Sequence, residues 1–178
     1  SSIPNWVWDG RSLPVPVEEI VREVYGLRVC HVRQEEIKEV LGEGAGDGWV
    51  SGLLLAGAGE IWVTEDEVKN PEWGPQRSRF TTGHELGHFV MHQEAPASIY
   101  CRKNEVDAEE EFQTDPIPRP VPEVEANTFA ASLLMPADRL WAEIRTGVDE
   151  AAILRLTRQF HVSDKAMRRR IETLQTLA

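Results

Sequence analysis

His84, Glu85 and His88 stand in an H-E-x-x-H arrangement, His84-Glu85-Leu86-Gly87-His88. On a helix, positions i and i+4 share a face about 6 Å apart along the axis, so both imidazoles can converge on one metal ion. Neutral imidazole nitrogen suits Zn²⁺. Glu85 leans toward the same side, where it can take a proton from a water that the metal activates. Tetrahedral zinc wants a third protein ligand and one open position. His92 continues the i+4 series, but it lies about 12 Å along the axis from His84, too far for one ion. The longer pattern H-E-x-x-H-x-x-G-x-x-H needs Gly at 91 and His at 94, where this chain has Met91 and Glu94. A second helix must therefore supply a carboxylate.

The helix opening at Glu123 offers two. Glu123 shares a face with Asn127 one turn later, and Asn127 is placed to hydrogen-bond a ligand histidine from behind. Glu125 sits about 200° around that helix from Glu123, so both cannot hold the same ion. Glu123 is the preferred third ligand and Glu125 the alternative. Acidic residues are also common in a first turn because the helix dipole favours them. An oxyanion would need a further donor, for which Tyr25, Tyr100 and His161 are unranked candidates.

These residues need a frame. Apolar positions Val17, Ile20, Val21 and Val24 give residues 14–25 a helical period, with Gly26 as its stop. Residues 27–32 alternate like a strand and 35–41 read as a short helix. GEGAGDG (42–48) is a connection, and 49–56 with 60–64 form a hairpin around a short GAG turn. Residues 66–76 read as a loop and 77–93 as one long helix. Residues 94–122, with five prolines and the acidic run 107–111, read as a long loop. Helices follow from Glu123, after Pro136, and over 149–160 and 163–176. This is an α+β pattern.

The chain has 178 residues, 30 Asp+Glu against 19 Lys+Arg, and a formal net charge of −11. The length suits one domain. So negative a balance argues against the whole molecule binding polyanions, which requires a basic footprint. Cys30 and Cys101 make no disulfide framework. The opening SSIPNWVWDG has no basic and apolar leader pattern, and no run of about 18 apolar residues occurs, so no membrane contact and a cytoplasmic location are expected.

The charge is uneven. Residues 145–178 hold 7 Lys+Arg and 4 Asp+Glu, a balance of +3, which leaves −14 for residues 1–144. Within 153–174 two helices surround a tight turn that Ser163 can cap, the outline of a helix-turn-helix. Arg155, Arg158, Lys165, Arg168, Arg169 and Arg170 make that end basic. A helical hairpin closing the fold or docking a protein is preferred over a nucleic-acid reader. The expected organisation is a core over 1–144 and a hairpin over 145–178, packed as one domain.

RFTTGHELGHFVMH together with EVEANTFAASLLMP resembles the ImmA/IrrE family of metallopeptidases, which pairs an R-F-T-x-x-H-E-x-G-H helix with a later E-x-E-A-[ND]-x-F-A-x-x-L-L-M-P helix. LPVPVEEIVREVYGLRV, VSGLLL, IWVT and FHVSDKAMRRRIETL also have counterparts there, so the resemblance spans nearly the whole chain. It implies a zincin-like core, a small, mainly antiparallel sheet packed on the active-site helix. It implies zinc held by His84, His88 and Glu123, with Glu85 as general base. It further implies a protein substrate, a helix-turn-helix repressor, in stress response or mobile-element regulation. The chain departs from the pattern at Gly83, where alanine is usual; glycine inside a helix costs about 0.8–1.0 kcal/mol relative to alanine. The contrasting expectation is a DNA- or partner-binding regulator whose zinc is structural, against which the intact Glu85 weighs.

Overall fold

The computed structural model of the chain describes residues 3–42, 48–92, 100–104 and 120–177. The first helix, α1 (Val17–Tyr25), buries Val17, Ile20 and Val21 along one stripe and carries Glu18 and Glu19 in its first turn. It stops at Gly26 in the left-handed conformation, φ 67°. The Gly26 amide bonds Arg22 and the Leu27 amide bonds Val21, so both exposed carbonyls are satisfied as the chain turns into the sheet.

The sheet has four strands, β1 (Arg28–Val32), β2 (Trp49–Leu55), β3 (Glu60–Thr64) and β4 (Tyr100–Asn104), in the order β1-β3-β2-β4. β2 and β3 form the expected antiparallel hairpin, and β4 adds antiparallel to β2. β1 runs parallel to β3, so the sheet is mixed with antiparallel pairing predominating. Helix α2 (Gln34–Leu41) follows β1 and packs Ile37 on one sheet face with Val50 and Leu53. On the other face Leu54, Ile61 and Val63 meet Ile20 and Val21 of α1 and Leu86.

Two expected loops are partly ordered into elements. Residues 66–76 contain α3 (Glu65–Lys69) and the start of α4 (Gly74–Met91). Three acidic residues in its first turn favour α3. The Asn70 side chain then accepts from the Glu72 and Trp73 amides to make the bend. Pro75 falls in the first turn of α4, where a missing N–H costs nothing. Within 94–122, β4 occupies Tyr100–Asn104, and α5 (Val121–Leu134) begins two residues before Glu123 with Pro122 in its first turn. The rest of that expected loop, residues 94–99 and 105–119, lies outside the described residues, as do residue 93 and the side chains of Tyr100 and Cys101.

Three helices complete the chain: α6 (Ala137–Thr146), α7 (Glu150–Phe160) and α8 (Asp164–Thr176). Asp149 caps α7 through the Ala152 amide and Ser163 caps α8 through the Ala166 amide. Ile153, Leu156, Phe160, Met167, Ile171 and Leu174 of the hairpin enter one buried cluster with Val17, Leu134, Met135 and Leu140. Among the described residues no helix is long and apolar enough to cross a membrane.

Candidate metal centre

Helix α4 is buried on all sides through its middle: every residue from Thr81 to His88 is buried. Such a helix is enclosed between layers rather than laid on a surface. Leu86 packs with Leu54, Ile61 and Val63 on one flank, and Thr81 and Glu85 face the sheet at Gly52. The opposite side carries Gly83 and Gly87, one turn apart, against Ala126 and Ala130 of α5. A Cβ on Gly87 would come 3.0 Å from the Ala126 Cα and 3.1 Å from its carbonyl oxygen, tight enough that the α5 backbone would have to give by a few tenths of an ångström. At Gly83 the nearest atoms lie 3.4 Å and 3.5 Å away on Ala130. Small residues on both helices therefore let the backbones approach, tightest at the Gly87 end.

That approach brings α5 side chains to the two histidines. The Glu123 carboxylate reaches both, Oε2 at 3.2 Å from His84 Nε2 and Oε1 at 3.2 Å from His88 Nε2. The two Nε2 atoms are 3.0 Å apart. Asn127 Oδ1 lies 3.1 Å from His84 Nδ1. A carbonyl oxygen can only accept, so His84 carries its proton on Nδ1 and turns a lone pair on Nε2 toward the other donors. His84 and His88 are almost wholly buried, whereas Glu123 keeps part of its side chain in solvent.

Two imidazole nitrogens and a carboxylate facing one another form a donor set that calls for a cation. Zinc bond lengths of about 2.0–2.2 Å and tetrahedral angles place ligand atoms about 3.3 Å apart. The three observed separations match that spacing, and His84, His88 and Glu123 could hold such an ion. Burial alone would raise the Glu123 carboxyl. In their protonated forms His84 and His88 outweigh it through hydrogen bonds and charge and hold the group well below the usual carboxylate range, the place a cation takes when the imidazoles are neutral.

The structure thus joins His84, His88, Glu123 and Asn127 and assigns the other carboxylate elsewhere. Glu125 lies 3.7 Å from His92 Nε2, one turn further along the α4–α5 groove. Glu85 is fully buried beside β2, where a Cβ on Gly52 would sit 3.0 Å from its Oε1. Glu85 adjoins His84 in sequence on α4, and a buried carboxylate on the same helix as two residues that could hold a metal is suited to metal-assisted hydrolysis. Of the candidate oxyanion donors, Tyr25 stacks edge-on against Phe89 with ring centroids 6.3 Å apart. His161 caps α7 with φ 54°, and burial together with the Arg79 charge lowers its pKa.

Sequence reasoning missed the pairing of Gly83 and Gly87 with Ala126 and Ala130, although small residues at i and i+4 on two successive motif helices were legible. It also missed Glu67, a fully buried carboxylate on α3 that accepts from Arg77 Nε at 2.8 Å and Thr81 Oγ1 at 3.1 Å.

Three of the hairpin's arginines are engaged within the fold. Arg168 bonds Asp164 and Glu150, Arg155 bonds Glu143 at 2.7 Å, and Arg170 is buried with its Nε on the Met135 carbonyl. Phosphates would have to displace those carboxylates.

No curated protein matches the chain at a significant level. Residues 69–172, from the end of α3 through most of α8, match the family model of the IrrE N-terminal-like domain, a peptidase family. With more than half its length matched, both motif helices included, the chain belongs to the ImmA/IrrE family of metallopeptidases.

Proposed function

We propose that this protein is a zinc-dependent endopeptidase that hydrolyses a peptide bond in a protein substrate. The observation carrying this reading is the meeting of His84, His88 and Glu123, with the buried Glu85 next to His84 in sequence on the same helix. Bound zinc would polarise the scissile carbonyl and acidify a water, supplying a nucleophile at neutral pH. The chain's own groups do the rest. Glu85 takes the proton from the attacking water and returns it to the leaving nitrogen. Asn127 holds the His84 tautomer through Nδ1, keeping Nε2 for the metal. Burial of Glu85 keeps bulk water from competing for its proton.

The substrate class that fits is a helix-turn-helix repressor in the cytoplasm, cut during stress response or mobile-element regulation; the resemblance of both motifs supports it. The hairpin over 145–178 then acts as a helical closure on the 1–144 core, a role supported by its share in one buried cluster and by the ion pair from Arg155 to Glu143 of that core. The test is co-expression with the repressor of a neighbouring gene, comparing wild type with Glu85→Gln. A cut repressor with wild type, and zinc retained but cleavage reduced at least about 100-fold in the variant, is the expected result. A Glu85→Gln protein that still cuts would remove Glu85 from its role.

A further inference from the structure

β2 carries an extra residue where it passes under α4. Val50 pairs with Lys103 and Gly52 with Arg102, so Ser51 is a bulge. The bulge shifts the alternation of the strand. Val50 and Leu53 both face Ile37 of α2, and Gly52 is turned to α4. A Cβ there would come 2.4 Å from Thr81 Cγ2, 3.0 Å from Glu85 Oε1 and 3.3 Å from Glu85 Cγ. Thr81 and Glu85 lie one turn apart on α4, so the space above Gly52 is filled jointly by a methyl and a carboxylate. The threonine is oriented from its other side. Its hydroxyl donates to Glu67 Oε2 at 3.1 Å, and Arg77 holds the second Glu67 oxygen at 2.8 Å. With the hydroxyl committed to α3, the methyl is turned onto Gly52.

We propose that Gly52, Thr81 and Glu67 are positioning residues for the Glu85 carboxylate: glycine leaves the seat open, the threonine methyl forms its side wall, and Glu67 locks that wall. The proposal rests on the peptidase reading for its consequence and on packing for its content. None of the three residues is among the groups that could hold the metal.

The test uses the zinc-loaded full chain as Gly52→Ala, Thr81→Ser and the double variant. Bound zinc, crystal structures, and kcat and KM on fluorescein-labelled casein are the readouts. Gly52→Ala is expected to keep its zinc, displace the Glu85 carboxylate by about 1 Å, and lower kcat about 100-fold with KM unchanged. Thr81→Ser removes the clashing methyl, so in the double variant kcat returns to within about threefold of wild type. A Gly52→Ala protein with the carboxylate in its original place, or a loss that Thr81→Ser does not rescue, overturns the proposal. Should wild type leave casein uncut, the peptidase reading loses support separately, and the carboxylate positions still decide this one. If Gly52→Ala does not fold, Thr81→Val serves instead. It keeps the methyl but loses the bond to Glu67, and is expected to move the carboxylate and lower kcat about tenfold with zinc retained. An unmoved carboxylate there is equally fatal.

Discussion

The α4–α5 crossing and the α6–α8 end are both helix packings, yet they handle polar groups in opposite ways. At the crossing, two buried imidazoles and a half-buried carboxylate are aimed at one another, and the helices meet through glycine and alanine. At the α6–α8 end the interior is apolar, built on Leu140, Phe160 and Met167, and charges pair on the outside. Burying polar groups costs free energy unless a partner compensates. The crossing therefore spends stability on convergence, which a metal ion can return on binding. The other end supplies stability through apolar area.

Five variants test how separate these two regimes are. The largest effect belongs to the apolar end: Phe160→Ala should destabilise by about 3–5 kcal/mol, read by denaturant unfolding, while zinc affinity of the folded protein is unchanged. A parallel fall in zinc affinity would mean that the two ends are coupled. Asn127→Ala should do the reverse, weakening zinc about 10–100-fold in a competition titration with a chelator and leaving the metal-free unfolding curve nearly in place.

Smaller effects resolve the crossing itself. Gly87→Ala pushes a methyl against the Ala126 backbone and should cost about 1–3 kcal/mol while loosening zinc. Gly83→Ala meets only ordinary contacts on Ala130 and should stabilise by up to about 1 kcal/mol. Equal responses at the two glycines would contradict a crossing that tightens toward Gly87. The smallest effect concerns the hairpin turn. The folded pKa of His161 lies below its ordinary 6.5, so between those values the unfolded chain binds more protons. Its contribution is complete above pH 6.5 and shrinks as the pH falls below it. Unfolding of the zinc-loaded protein from pH 7 toward about pH 5 should lose less stability in His161→Asn, a residue that accepts the left-handed backbone.

Much of this architecture could be read from the chain itself. Helical periods located α1, α4, α5, α7 and α8, since each buries residues at three- and four-residue spacing or carries a cap. His84 and His88 were legible from their spacing, and helix geometry set His92 aside; the preference for Glu123 over Glu125 leaned on the shared face with Asn127 and on the family resemblance. What escaped depends on distant partners. Helix α3 is five residues long, and its Glu67 is held by Arg77 and Thr81, ten and fourteen residues away. The bulge at Ser51 hides inside the apolar run WVSGLLL, where no alternation marks a phase change. Strand β4 sits in a stretch whose prolines and acids argue against any element, and only its pairing with β2 makes it a strand.

The glycines of α4 leave one asymmetry in how this site can vary. From glycine every substitution adds atoms, so positions 83 and 87 can drift only toward greater bulk. One has room for a single methyl, and the other takes one only if the facing backbone moves. Because the imidazoles ride on one helix and the carboxylate on the other, added bulk at the tight end widens the gap between donors before it disturbs any donor itself. A lineage could thus silence such a centre with all of its metal-binding residues intact. An inventory of those residues alone would still count it as whole.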